Sequence, residues 1–174
     1  MALKKILIEP NKTLRQKSLP VEKVDGELQK LIDDMLETMY AAPGIGLAAI
    51  QVGVPKRIIV LDIASKDEPK NPMCFINPEI IEKSETNSSY EEGCLSVPGQ
   101  FAEIDRPSKC YLKYLDYYGQ PKELKAEGML ATCIQHEIDH LEGILFIDYL
   151  SKLKKSMIVK KLSKQKKELE RIVV

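Results

Sequence analysis

The chain has little that would place it in or across a membrane. Its longest apolar stretches, such as Ile58 to Leu61, are a small fraction of the ~20 residues that span a bilayer, so no transmembrane helix is expected. Near the start only Ile6 to Ile8 is apolar before Glu9 interrupts, too short for the core of an export signal, and the cytoplasm is the expected location. There is no internal repeat and no low-complexity segment. Histidine occurs only twice, and four cysteines in a chain without an export signal read as thiols rather than a disulfide framework. Net charge is also missing, with 26 basic and 26 acidic side chains. What remains is ordinary globular material: 174 residues, 44% hydrophobic and 30% charged, suited to one domain with one core.

The zero net charge conceals an asymmetry. Residues 151–174 hold nine Lys/Arg and two Glu, a local +7, which leaves −7 on residues 1–150. A basic tail on an acidic body is either a solvated helix face or a contact for a polyanion. The expected organisation is a single domain over 1–174, with a catalytic body at 1–150 and a basic C-terminal helix at 151–174.

Leu28, Leu31, Ile32, Met35 and Met39 recur at helical spacing behind Asp25, an N-cap residue type, which predicts a helix over 26–41 that Pro43-Gly44 ends. Short β-branched or aromatic segments at 57–63, 74–83, 101–106, 109–117 and 122–126 read as strands. A second helix runs from Met129 to Gly143. A third carries Leu153, Ile158, Leu162, Leu169 and Val173, with its leucine stripe docked and Lys154, Lys155, Lys160, Lys161 and Lys164 facing outward. Helix, strands, helix, helix is an α+β order, without the alternation of a doubly wound sheet. The predicted architecture is a set of small mixed or antiparallel sheets packed around a central second helix, with the C-terminal helix added. In that context Gly44-Ile45-Gly46-Leu47-Ala48-Ala49 is a decoy of the dinucleotide fingerprint, because a helix and a proline precede it where a strand is needed.

Both histidines lie in His136-Glu137-Ile138-Asp139-His140 on the second helix. Four residues apart, they sit one turn above each other and can meet one metal ion, with Glu137 beside it as general base. Chance gives two histidines this spacing roughly one time in ninety, so the pair weighs towards a metal without excluding two unligated helix histidines. A catalytic site wants a third protein ligand and an open position. Cys133 lies ~10.5 Å along the axis from His140, too far to share the ion, and reads as a small buried hydrophobe. Cys74 and Cys110 read as packing positions. Cys94 differs: Gly93 before it and Pro98-Gly99 after it allow the backbone to present its thiol and a free N–H to a cleft. A thiolate with two imidazoles suits Zn²⁺ or Fe²⁺. Gln51 is a candidate amide donor, against the commoner fate of a solvent-facing glutamine.

Three segments in order, Gly44-Ile45-Gly46-Leu47-Ala48-Ala49-Ile50-Gln51, Glu92-Gly93-Cys94-Leu95-Ser96 and His136-Glu137-Ile138-Asp139-His140-Leu141-Glu142-Gly143, resemble the three motifs of the peptide deformylases. The resemblance spans about residues 1–150. It implies that Cys94, His136 and His140 hold the metal, that Glu137 is the acid/base, and that Gln51 and the Leu95 N–H bind the reacting oxygen. The activity implied is metal-dependent removal of the formyl group from formyl-methionyl nascent polypeptides, with Fe²⁺ as the ion and Zn²⁺, Ni²⁺ or Co²⁺ as alternatives. Ile45, Gly46, Glu92, Arg106 and Cys133 are the candidate substrate contacts. Phe101 departs from relatives that carry Arg after the cysteine motif, and Arg106 is expected to take over a related role. The resemblance also makes the basic tail a candidate for ribosome contact; neither DNA nor a membrane is expected as partner. Two other readings use the same residues. A zincin-type peptidase needs a downstream third ligand, for which only Asp148, Glu168 and Glu170 follow Glu142. A binding protein with a structural metal needs a closed set of four ligands, and no fourth is evident.

Overall fold

The structure is a computed structural model that describes residues 2–172. Helix α1 (Gly26–Ala41) has the predicted limits: the Asp25 carboxylate caps it by accepting from the Leu28 N–H at 2.9 Å, and Leu28, Ile32, Met35 and Met39 form its buried face. The strands β1 (Gly46–Ala48), β2 (Ile58–Leu61) and β3 (Met73–Lys83) follow. A hairpin comes next, β4 (Asn87–Cys94) and β5 (Val97–Pro107), and then β6 (Lys109–Leu115) and β7 (Pro121–Glu127). Helix α2 (Gly128–Leu141) and helix α3 (Lys152–Ile172) complete the chain. One antiparallel sheet has the order β1-β2-β3-β6-β7, and β4 and β5 pair only with each other. This is the α+β class that the element order implies.

The short strand β2 shows how the layers are built. All four of its residues are buried, and successive side chains point to opposite faces. Ile59 and Leu61 pack with Ile134 and Leu141 of α2, whereas Ile58 and Val60 pack with Ile32 and Met35 of α1. Helix α2 lies between this sheet and the β4–β5 hairpin, touching strands of both. It is therefore buried nearly all round, His136, Glu137 and His140 included. Gly143, at φ 76°, turns the chain away after it, the C′ role its position implies.

Two expectations need correction. Strand β4 was not foreseen, and β5 begins four residues before the predicted strand. The sequence Asn-Ser-Ser-Tyr-Glu-Glu-Gly-Cys is polar because a two-stranded sheet leaves one face in water, so its alternation is weak. The α3 stripe is the second. Only Leu162 is buried, with Ile158 and Val159 beside it, while Leu153 and Leu169 are 71% and 64% exposed. A helix of 21 residues is about 30 Å long and outruns the surface under it. Lys155 does not face outward as expected but reaches Asp148 at 2.7 Å. Val173 lies outside the described residues.

Candidate active site

Cys94 ends β4 at the hairpin turn, and His136 and His140 face that turn from adjacent turns of α2. One donor atom of each of the three lies within 4.8 Å of the others. The Cys94 Sγ is 3.4 Å from the His140 Nε2. The set is a thiol and two imidazoles brought together from separate elements, with spacing suited to one ion. Burial pushes His140 well below its ordinary pKa, so its ring is neutral, as a ligand must be. Cys133 faces the same cavity but is not in this set. Burial pushes its thiol up to about 12, which keeps it protonated and apolar in character.

Behind the cluster is a chain of charges. The Nδ1 of His136 meets the Glu92 Oε1 at 2.8 Å, which leaves its Nε2 for the site. Arg106 grips both oxygens of Glu92, at 2.7 and 3.0 Å, and donates a third bond to the Asp139 Oδ2 at 2.8 Å. The Tyr149 hydroxyl donates to that same Asp139 oxygen at 2.7 Å. Burial opposes the Glu92 charge, but the bonds to His136 and Arg106 outweigh it and hold the carboxyl below its usual range. Arg106 was expected to meet substrate. It does not line the cavity, because all three of its bonds run to carboxylates behind the cluster, the buried Glu92 and the partly buried Asp139. Glu92 lines the cavity with its carboxylate already committed. Both therefore orient His136 from behind.

Glu137 is the next residue on the helix, with its Oε1 3.9 Å from the His136 Nε2, near the cluster without belonging to it. Burial raises its carboxyl to about 7, with His136 opposing and Glu92 adding to the rise. Its Oε2 is buried without a hydrogen-bond partner among the described residues. Gly46 permits this placement, since a Cβ there would lie 2.6 Å from the Glu137 Oε1. Gly44 does the same for Leu95, whose Cδ1 would lie 2.6 Å from an added Cβ. The Gly-x-Gly that mimics a nucleotide fingerprint thus makes room for two residues of the site. Such a fingerprint needs an acidic residue about 20 positions on for the ribose, and Asp62, the residue near that position, accepts instead from the Tyr40 hydroxyl and the Ala64 and Asn71 N–H groups.

Gln51 sits in a 3₁₀ turn (Ala49–Val52) after β1 and is 1% exposed, not solvent-facing. Its Oε1 accepts from the Ala48 N–H at 2.9 Å, which fixes the amide orientation. The Nε2 then points to the Ser96 Oγ at 3.0 Å and the Cys94 Sγ at 3.5 Å. Ser96, fully buried, is an orienting residue that sequence reasoning missed; its signal was its place two residues after Cys94. Leu95 occupies the turn between β4 and β5 and lines the cavity. The cavity holds about 450 Å³, with Ile45, Gly46 and Cys133 in its walls and Phe101 and Met129 towards its mouth.

The donor set fits a catalytic metal: three side chains able to ligate one ion, a carboxylate that orients one of them from behind, and a buried carboxyl group with a spare oxygen beside them. Arg106→Ala is expected to weaken metal affinity about 10–100-fold, the usual cost of losing a residue that holds a ligand's hydrogen-bond partner in place. Competition with a chelator measures it. Unchanged affinity in the folded variant would disconnect the Glu92–Arg106 pair from the centre.

The family model for polypeptide deformylase matches residues 3–156. A peptide deformylase of Pelagibacter ubique is 67% identical over 174 residues and covers the whole of both chains. One from Phenylobacterium zucineum is 59% identical over 96% of this chain and 99% of its own. The crystal structure of peptide deformylase from Ehrlichia chaffeensis superposes with a TM-score of 0.92 at 45% identity, covering 96% of this chain and 98% of that one.

Proposed function

The chain belongs to the polypeptide deformylase family, and from that premise we propose the parts its residues play. It acts as a peptide deformylase, a hydrolase that removes the formyl group from formyl-methionyl nascent polypeptides and releases formate. Peptide deformylases are metal-dependent. In our reading Cys94, His136 and His140 are the protein ligands. The observation that carries this is the meeting of their three donor atoms beside Glu137 at the inner end of the cavity. The ion is Fe²⁺ by family resemblance, with Zn²⁺, Ni²⁺ and Co²⁺ compatible with the same donors. Once bound, the ion supplies Lewis acidity and lowers the pKa of the water that attacks.

Glu137 takes the proton of that water as its oxygen bonds to the formyl carbon. The Gln51 Nε2 and the Leu95 N–H face the oxygen on which negative charge develops. Preorganised donors of this kind contribute about 3–4 kcal/mol each where they have been removed singly. Glu137 then returns the proton to the departing nitrogen as the carbon–nitrogen bond breaks. The methionine side chain enters the apolar cavity beside Ile45 and Cys133. Strand β1 pairs only with β2, so its other edge offers backbone partners to an extended peptide next to Gly46.

A zincin-type peptidase is not favoured. Its third ligand would have to be downstream, where Asp148 is held by Arg15 at 2.6 Å and by Lys155, and Glu168 and Glu170 are exposed on α3. No helix among the described residues is long and apolar enough to cross a membrane. We place the enzyme in the cytoplasm, where nascent chains are made. Residues 1–150 form the catalytic body in this account, and the basic tail at 151–174, helical over Lys152–Ile172, contacts ribosomal RNA. What supports the last point is the exposure of Lys154, Lys160, Lys161 and Lys164 on a helix that outruns the body.

Glu137→Gln should retain its metal and lose turnover on formyl-Met peptides by at least 100-fold, since the amide keeps the shape but accepts no proton. Metal content and kcat together decide it, and near-normal kcat would falsify the base role. Removal of residues 152–174 should abolish salt-sensitive co-sedimentation with ribosomes. If the full-length protein never co-sediments at low salt, the tail is not a ribosome contact.

A further inference from the structure

The 3₁₀ turn Phe146–Tyr149, between α2 and α3, supplies neither a cluster donor nor a cavity wall, yet it packs on the rear of the site. Side chains three residues apart eclipse in such a turn, so Phe146 and Tyr149 share a face. The Phe146 ring lies near-parallel to the imidazole of His136, with centroids 6.2 Å apart and planes at 25°. Tyr149 meets Arg106 and Asp139. Its ring centroid is 4.9 Å from the Arg106 Cζ, within cation–π range, and its hydroxyl donates at 2.7 Å to the Asp139 Oδ2 that also accepts from Arg106. The guanidinium is thereby held on three sides: Glu92 takes two of its nitrogens, Asp139 takes the third, and the Tyr149 ring covers a face. Arg106 is 4% exposed and Tyr149 51%, which places the tyrosine on the solvent side of the arginine. The turn is itself pinned. Phe146 and Ile147 are buried with Leu162 of α3, and Asp148 accepts from the Leu145 N–H and pairs with Arg15 and Lys155.

We propose that Tyr149 is a positioning residue for His136: through Asp139 and Arg106 it holds the Glu92 carboxylate against the imidazole Nδ1, and its ring keeps water from that chain of charges. The inference rests on the assignment of Cys94, His136 and His140 as ligands. Charge-assisted hydrogen bonds hold strongly where water is excluded and weaken where it enters. Without the ring, Arg106 is hydrated and Asp139 loses a donor, so Glu92 grips the imidazole less firmly. Tyr149 belongs neither to the donor cluster nor to the cavity lining, so it acts only through these neighbours.

The test uses zinc-loaded, full-length protein with isotope-labelled histidine, since the chain has only two imidazoles to resolve. Two rates are read: solvent exchange of the His136 Nδ1–H, the one that Glu92 protects, and release of zinc to a chelator. His140, whose Nδ1 has no partner among the described residues, is the internal reference. Tyr149→Ala should speed both rates at least tenfold and Tyr149→Phe, which loses only the hydroxyl, about threefold, with the His140 ring unchanged. In an Asp139→Ala background Tyr149→Phe should add less than twofold, because the hydroxyl then has nothing to act through. If Tyr149→Ala does not fold, Tyr149→Phe and this cycle decide. Rates within twofold of wild type in the folded Tyr149 variants overturn the proposal. Equal changes at both rings, or a full effect of Tyr149→Phe without Asp139, overturn it too, by marking a general loosening. Those outcomes leave the ligand assignment standing, whereas wild-type imidazole nitrogens that do not shift on zinc loading overturn that assignment itself.

Discussion

A helix that turns two imidazoles and a carboxylate away from water makes each of their polar atoms costly, about 1–3 kcal/mol where no partner meets it. Helix α2 is in this position, packed between a five-stranded sheet and a hairpin. Its apolar stripe, Ile134 and Leu141, is absorbed by the sheet. The polar stripe is answered by the hairpin, which brings Cys94 to the histidines and Glu92 with Arg106 to the rear of His136. A buried ion pair of this kind adds little to net stability, since desolvation offsets most of its attraction. Its contribution is orientation: the imidazole can turn neither its tautomer nor its ring without breaking the bond to Glu92.

The glycines carry the complementary demand for space. Gly44, Gly46 and Gly93 each stand where an added Cβ would collide, with Leu95, Glu137 and Phe101 respectively. Close approach of backbone to side chain is what allows a carboxylate, a turn and an aromatic ring to converge on one cavity of about 450 Å³. The same residues, read as a string, imitate a phosphate-binding loop. The preceding helix α1 and Pro43 separate the two interpretations.

What could be read from the sequence follows from how local each signal is. The limits of α1 depend on a cap and a period, both visible in residues 25–41. The pair His136 and His140 depends on one helical turn. Strand β4 could not be read, because its partner β5 makes it a strand and its own residues are mostly polar. Arg106 misled for a related reason: whether an arginine meets substrate or a buried carboxylate is decided by side chains 14 and 33 residues away. The Gln51 position was legible as a donor but not as buried, since its partners Ala48 and Ser96 come from different elements. The docking of α3 failed as an expectation because periodicity reports an apolar face and not the extent of the surface beneath it.

The central claim is that one hairpin thiolate and two helix imidazoles hold a single ion, with Glu137 and Cys133 outside its ligand set. X-ray absorption at the metal edge of the zinc-loaded protein addresses it directly. The account predicts one sulfur at about 2.3 Å and two imidazole nitrogens at about 2.0–2.1 Å, with the remaining scatterer a light oxygen. Cys94→Ser should remove the sulfur shell and Cys133→Ser should leave it intact. A spectrum without sulfur, with two sulfurs, or with a sulfur shell that survives Cys94→Ser would contradict the account.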